Sequence, residues 1–296
     1  MHMNTRLLLL IALTVSLLAC TTQPRKWPPI TTTATGHTMP GRWVWADLIC
    51  DDPEQAKRFY SQVFGWHFTD AGTSDNPYYL VFQGQQPVAG IARYKKQTDS
   101  ERAARWIRLL SVESVSRATQ SISQAGGKVL IPEKYLPGRG ELALAADPEG
   151  ALFGLIHSES GDPQEQFPEE NTFFWQELWA NDAMAMANFY RSFVNYTATE
   201  QKTLNDVDEI RLSVGDNLRA GIIQVKHENI SSAWLPYIRV TNLKQTLNKV
   251  RSAQGDIIVA PSASIRDGKV AIIKDSQGAA LGLVEWHENQ QGKMSR

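Results

Sequence analysis

FFWQELWANDAMAMANFYRSFVNY, residues 173–196, repeats WVWADLICDDPEQAKRFYSQVFGW, residues 43–66: a tryptophan, an acid, an Asp and a Phe-Tyr pair recur in the same relative places. The pairing runs on toward the C-terminus. Trp106 recurs as Trp234, Val112 as Val240, Gly127 as Gly255, Gly140 as Gly268, Asp147 as Asp275 and Gly154 as Gly282, each pair 128 positions apart. A constant offset over so many residues is duplication, not shared composition.

Each copy carries alternating local signals. Residues 43–49 are rich in aromatic and apolar residues and read as a strand. Asp52-Pro53 sets a capping carboxylate before a proline at the first helical position. Ala56, Phe59, Tyr60, Val63 and Phe64 follow at helical spacing, and Gly65 supplies a left-handed stop. Asn195 holds that place in the second copy and is expected to serve in the same way. Strands near 78–83 and 87–94 come next. The pattern then restarts, with WIRLLSV as strand, SRATQSISQAGG as helix, and KVLIP, ELALAAD and ALFGLIH as strands. Each copy is therefore strand–helix–strands twice, an α+β arrangement. The expected boundaries are 42–158 for the first domain, 159–172 for a polar linker, 173–288 for the second domain and 289–296 for a polar tail.

Length and composition agree with two packed domains behind a leader: 296 residues, 42% hydrophobic and 21% charged. Net charge is -1 and no dense Lys/Arg run occurs, so nucleic acid is not an expected partner. Residues 1–20 read as a targeting segment, with Arg6 before the apolar run LLLLIALTVSLLA and then Cys20. LLAC resembles the lipobox of bacterial lipoproteins, which implies lipidation at Cys20 and a membrane held through that anchor; a plain signal peptide is the alternative. Thr21 after the cysteine implies the periplasmic face of the outer membrane. Residues 21–41, rich in Pro and Thr, read as a flexible tether. Cys50 reads as a small apolar filler.

The order of elements, together with Asp52…Phe59-Tyr60…Phe64-Gly65-Trp66, Ala125-Gly126-Gly127 and Asp147-Pro148-Glu149-Gly150, resembles the vicinal oxygen chelate (VOC) superfamily of glyoxalases, bleomycin-resistance proteins and extradiol dioxygenases. Asp182…Phe189-Tyr190 and Asp275-Ser276-Gln277-Gly278 match in the second copy. The resemblance implies two tandem glyoxalase-like domains, each of paired βαβββ modules curling around a cleft. It also implies divalent metal held by His, Gln or Glu at four positions per domain. Those positions are Trp45, Gly90, Ile107 and Gly154 in the first copy and Trp175, Gly221, Leu235 and Gly282 in the second. None offers a side-chain lone pair to a metal, so no metal and no cofactor are expected.

Strand alternation puts Trp43, Trp45 and Asp47 on one face, and Phe173, Trp175 and Glu177 on its counterpart. Trp45, Asp47, Trp175 and Glu177 are the candidate ligand-binding residues, with glycines leaving space beside them. The alternative is that the tryptophans are core and the acids pair with Arg93, Arg108 or Arg239. Three functions stay open. The chain could bind a small aromatic or cationic molecule, as bleomycin-resistance proteins hold their drug. It could be a metal-independent lyase or isomerase with Asp47 or Glu177 as general base. Or it could be a structural or partner-binding envelope lipoprotein.

Overall fold

The Asp52 carboxylate accepts a hydrogen bond from the Gln55 N–H, and Gly65, at φ 74°, ends the helix that it starts. That helix, α1 (Pro53–Phe64), follows β1 (Trp43–Cys50) and precedes β2 (His67–Asp70), β3 (Tyr78–Gln83) and β4 (Gln86–Arg93). A second unit repeats the order: β5 (Arg105–Ser111), α2 (Val115–Gln124), β6 (Lys128–Leu136), β7 (Gly140–Ala146) and β8 (Leu152–Ser158). The computed structural model describes residues 26–94, 104–202, 208–225 and 231–287. The second copy contains β9 (Phe173–Ala180), α3 (Ala183–Arg191), β10 (Thr197–Lys202), β11 (Asp208–Val214) and β12 (Asn217–Gln224). It continues with β13 (Ala233–Val240), α4 (Leu243–Ser252), β14 (Asp256–Val259), β15 (Val270–Lys274) and β16 (Ala280–Glu285).

Each copy forms one eight-stranded sheet, ordered β2-β3-β4-β1-β5-β8-β7-β6 and β10-β11-β12-β9-β13-β16-β15-β14. β1 lies parallel to β4 and antiparallel to β5, so the two units of a domain join edge to edge through their opening strands. These are two tandem VOC-like domains with an α+β fold.

The helix-bearing faces of the two sheets pack on each other, and this contact is where the repeated residues go. One core combines Val115, Ile122 and Phe153 of the first domain with Met186, Phe189, Tyr190 and Ile222 of the second. Its counterpart combines Phe59, Tyr60 and Ile91 with Leu247, Val250 and Leu283. Tyr60 donates to Asp275 Oδ2 at 2.8 Å and accepts from Trp106 Nε1 at 2.9 Å. Tyr190 donates to Asp147 Oδ2 at 3.1 Å and accepts from Trp234 Nε1 at 2.7 Å.

The glycines join the same exchange. A Cβ on Gly127 would lie 2.9 Å from the Phe189 ring, and one on Gly255 would lie 2.7 Å from the Phe59 ring. The Glu149 carboxylate accepts from the Asn181 and Asp182 N–H groups ahead of α3, and Gln277 Oε1 accepts from the Asp52 N–H ahead of α1. Each copy therefore supplies the Phe-Tyr that the other copy's glycine and Asp receive. The sequence repeats these residues because the contact between the domains is reciprocal.

Three expectations need correction. α3 ends at Ser192 in right-handed geometry, and Asn195 does not take a positive φ. Residues 26–41 are not a loose tether along their described length. Ile30 is 1% exposed against Trp45, Ile107 and Leu109, Trp27 meets the Tyr78 ring edge-on, and Arg139 Nε donates to the Pro28 carbonyl. Burying Ile30 and Trp27 is what fixes the segment. Trp43 and Trp45 do not share a face: a register shift between them turns Trp43 toward the interdomain core and Trp45 toward the opposite side. The equivalent shift at Tyr237/Ile238 separates Phe173 from Trp175. A β-bulge adds one residue and so breaks the two-residue alternation. Cys20, the leader and the tail from 289 lie outside the described residues.

Candidate functional site

Trp45 and Trp175 pack in clusters separate from the two interdomain cores, Trp175 at the rim of the domain contact, and Asp47 and Glu177 anchor equivalent hydrogen-bonded groups beside them. Asp47 Oδ1 accepts from Trp45 Nε1 at 3.0 Å and from the Tyr78 hydroxyl at 2.7 Å. The Tyr78 oxygen in turn accepts from Arg139 Nη2 at 3.0 Å, and that guanidinium stacks 4.9 Å from the Trp45 ring. Glu177 accepts from Trp175 Nε1 at 3.2 Å and from the Tyr237 hydroxyl at 2.6 Å, and it pairs with Arg266. Glu209, also buried, lies 3.5 Å from Arg211 Nε. Each cluster is close to charge-balanced, and burial with an anionic neighbour raises the Tyr78 and Tyr237 hydroxyls well above their ordinary range.

The arginines that meet these clusters are Arg139 and Arg266, not Arg93, Arg108 or Arg239. Arg239 instead donates to the Trp286 and Pro168 carbonyls. The signal for the true partners was present: an arginine stands just ahead of the repeated Gly140 and Gly268.

The glycines at the positions that the resemblance marks for metal ligands do not leave space. A Cβ on Gly90 would fall 2.0 Å from the Tyr78 hydroxyl and 2.2 Å from Asp47 Oδ1. Leu109 fills the room beside Gly154, and the Tyr237 ring fills that beside Gly282. These positions do not fit a divalent ion: they carry no donor atom, and the acids beside them already accept from protein groups. Among the described residues no three His, Cys, Asp or Glu side chains are grouped to hold a metal.

Open space lies elsewhere. A cavity of about 540 Å³ sits at the seam between the domains, lined among others by Trp43, Arg108, Phe173, Phe174, Trp175 and Trp286, with Gln176, Leu218, Arg42, Arg219 and residues 165–168 of the linker completing it. Of the four residues singled out above, Trp175 lines this cavity; Trp45, Asp47 and Glu177 do not. The bulges build it, because they turn Trp43 and Phe173 inward. The linker is fixed here rather than free, with Arg42 donating to the Pro163 and Gln164 carbonyls and Arg219 paired with Glu165.

Comparison with known proteins supports the fold. Residues 36–155 match the model of the Glyoxalase/Bleomycin resistance protein/Dioxygenase superfamily, so the first domain carries that superfamily's pattern. The protein named "Putative glyoxylase CFP32" from Mycobacterium bovis is 25% identical over 248 residues, covering 81% of this chain and 93% of its own. "Anthracycline biosynthesis protein DnrV" of Streptomyces peucetius is 24% identical over 262 residues, covering 84% and 94%. Among solved structures, the Mn(II)-bound glyoxalase from Novosphingobium aromaticivorans superposes with a TM-score of 0.56 at 15% identity, covering 84% of each chain. An extradiol ring-cleaving dioxygenase from B. fuscum gives 0.56 at 10% identity, covering 88% of this chain and 74% of that one.

Proposed function

We propose that this chain is a lipid-anchored protein of the bacterial envelope, on the periplasmic face of the outer membrane, whose tandem VOC-like domains bind a small aromatic molecule without a metal. The seam cavity carries this reading. Its volume of about 540 Å³ falls within the usual range of roughly 300–1,000 Å³ for small-molecule sites. Its walls include Trp43, Phe173, Phe174, Trp175 and Trp286, flat surfaces suited to a flat ligand. The name of the DnrV relative, an anthracycline biosynthesis protein, agrees with a small organic ligand. The reading of Asp47 or Glu177 as general base has less support. Each acid would first have to give up a tyrosine and a tryptophan donor.

Native mass spectrometry of protein released from membranes by mild detergent tests the binding reading. A retained organic adduct with no metal mass is expected. Bare chain, or near one equivalent of zinc, iron or manganese, would overturn it.

The anchor has its own test. Cys20→Ser should move the protein from the membrane fraction to the soluble fraction and abolish palmitate labelling. A Ser variant that stays with membranes, beside an unlabelled wild type, contradicts the lipobox.

A further inference from the structure

The polar atoms around the seam cavity are unevenly matched. Trp43 Nε1, Arg108 Nε, Gln176 Nε2, Arg219 Nε and Trp286 Nε1 are buried N–H donors without a partner among the described residues, and all belong to residues lining the cavity. Among the described residues, Gln176 Oε1 is the one buried side-chain acceptor of the same wall without a partner. Buried donors left unpaired cost free energy, so the wall of this cavity is short of acceptors.

Charge points the same way. Arg108 is 7% exposed, donates to the Trp43 carbonyl at 3.1 Å and lies 4.6 Å over the Phe173 ring, but no carboxylate among the described residues pairs with it. Arg219 is answered by Glu165, and Arg42 by linker carbonyls. Burial, and then the neighbouring Arg42, push the Arg108 guanidinium down to about 9, which still leaves it protonated at neutral pH. A buried cation without a counter-charge is expensive unless something supplies one.

The duplication shows that the fold does not require this cost. In the first sheet Arg108 stands opposite Ala46 across β5 and β1; in the second, Gln176 stands opposite Pro236 across β9 and β13. By the repeat, Arg108 corresponds to Pro236 and Gln176 to Ala46. The same two places in the same architecture therefore accept apolar residues, and the polar pair is an addition specific to the side that holds the cavity.

We propose that the seam cavity binds a planar organic anion, an aromatic carboxylate being the simplest member of the class, with its oxygens at the Arg108 guanidinium and its ring against Phe173 and Trp175. This inference rests on the small-molecule reading above and gives the ligand its charge. It also replaces the cationic ligand considered from the sequence, because Arg108, Arg42 and Arg219 would repel one.

Calorimetric titration of the full chain in detergent with naphthalene-2-carboxylate, its neutral carboxamide and 2-naphthylmethylammonium tests it. The carboxylate should bind, the amide about ten- to hundredfold more weakly, and the ammonium without detectable heat. Arg108→Met should bring carboxylate and amide together while leaving the amide unchanged. Equal affinity of all three for the wild type, or tightest binding of the ammonium, would overturn the anion inference while preserving the aromatic site. Absence of binding by all three would overturn both. The comparison among ligands on the wild type stands even where the variant fails to fold.

Discussion

Trp45→Ala should destabilise the protein by about 3–5 kcal/mol, the usual cost of truncating a fully buried large aromatic, whereas Trp175→Ala should cost clearly less. The repeat makes the two tryptophans look equivalent, but their surroundings differ. Trp45 is 1% exposed, packed on Ile30, Ile107 and Leu109, and covered by the Arg139 guanidinium. Its removal leaves a void under the 26–32 segment, deprives Asp47 of one donor and takes from Arg139 the nearer of its two rings, the other being Tyr78. Trp175 is half-buried and borders open space, so its loss removes ligand surface more than packing. For a chain of this size the Trp45 change corresponds to a drop in Tm of roughly 5–8 °C. Thermal melts of both variants beside wild type check it. Equal losses would mean that both tryptophans are core and that Trp175 has no separate role.

The architecture was legible because repetition is a strong signal. The constant offset between Trp106 and Trp234, or Asp147 and Asp275, marks two units whatever each residue does. Asp52-Pro53 and Gly65 bound α1 as capping chemistry requires. What the repeat meant was harder to see. Phe59-Tyr60 and Asp275 lie in different copies, so no local pattern places them 2.8 Å apart across the domain contact. Periodicity failed at Trp43 and Phe173, where one extra residue in the strand reverses the facing and no Gly or Pro announces the bulge. The seam cavity was invisible for the same reason. It is assembled from β1, β5, β9 and the linker, and the residues that distinguish it, Arg108 and Gln176, are those that depart from the repeat. Departures from an internal repeat were readable in the sequence and mark the place where the two halves do different work.

The interdomain relays also make stability depend on pH in a direction opposite to ordinary acid denaturation. Asp147 is 2% exposed, and burial raises its carboxyl to about 6 against hydrogen bonds from the Ala151 and Glu149 N–H groups and the Tyr190 hydroxyl, which act the other way. Asp275 is raised for the same first cause. A carboxyl whose folded pKa lies above its unfolded value, here 3.8, binds more protons in the folded state across that window. Its contribution is therefore fully present below about 4 and is lost as pH rises through about 6. For Asp147 the shift corresponds to something on the order of 3 kcal/mol between those limits. Other carboxylates obscure this in the wild type alone, so the comparison is with Asp147→Asn. That variant keeps an acceptor for the Ala151 and Glu149 N–H groups but carries no titrating charge. Denaturant unfolding of both proteins between about pH 4 and 7.5 should show the wild type losing stability relative to the variant as pH rises from about 4 to about 6, most steeply near the middle of that window, with little further change above it. A constant difference across that range would mean that the Tyr190 and backbone donors hold Asp147 ionised throughout, and that the relay is a charged hydrogen-bond chain at every pH the protein meets.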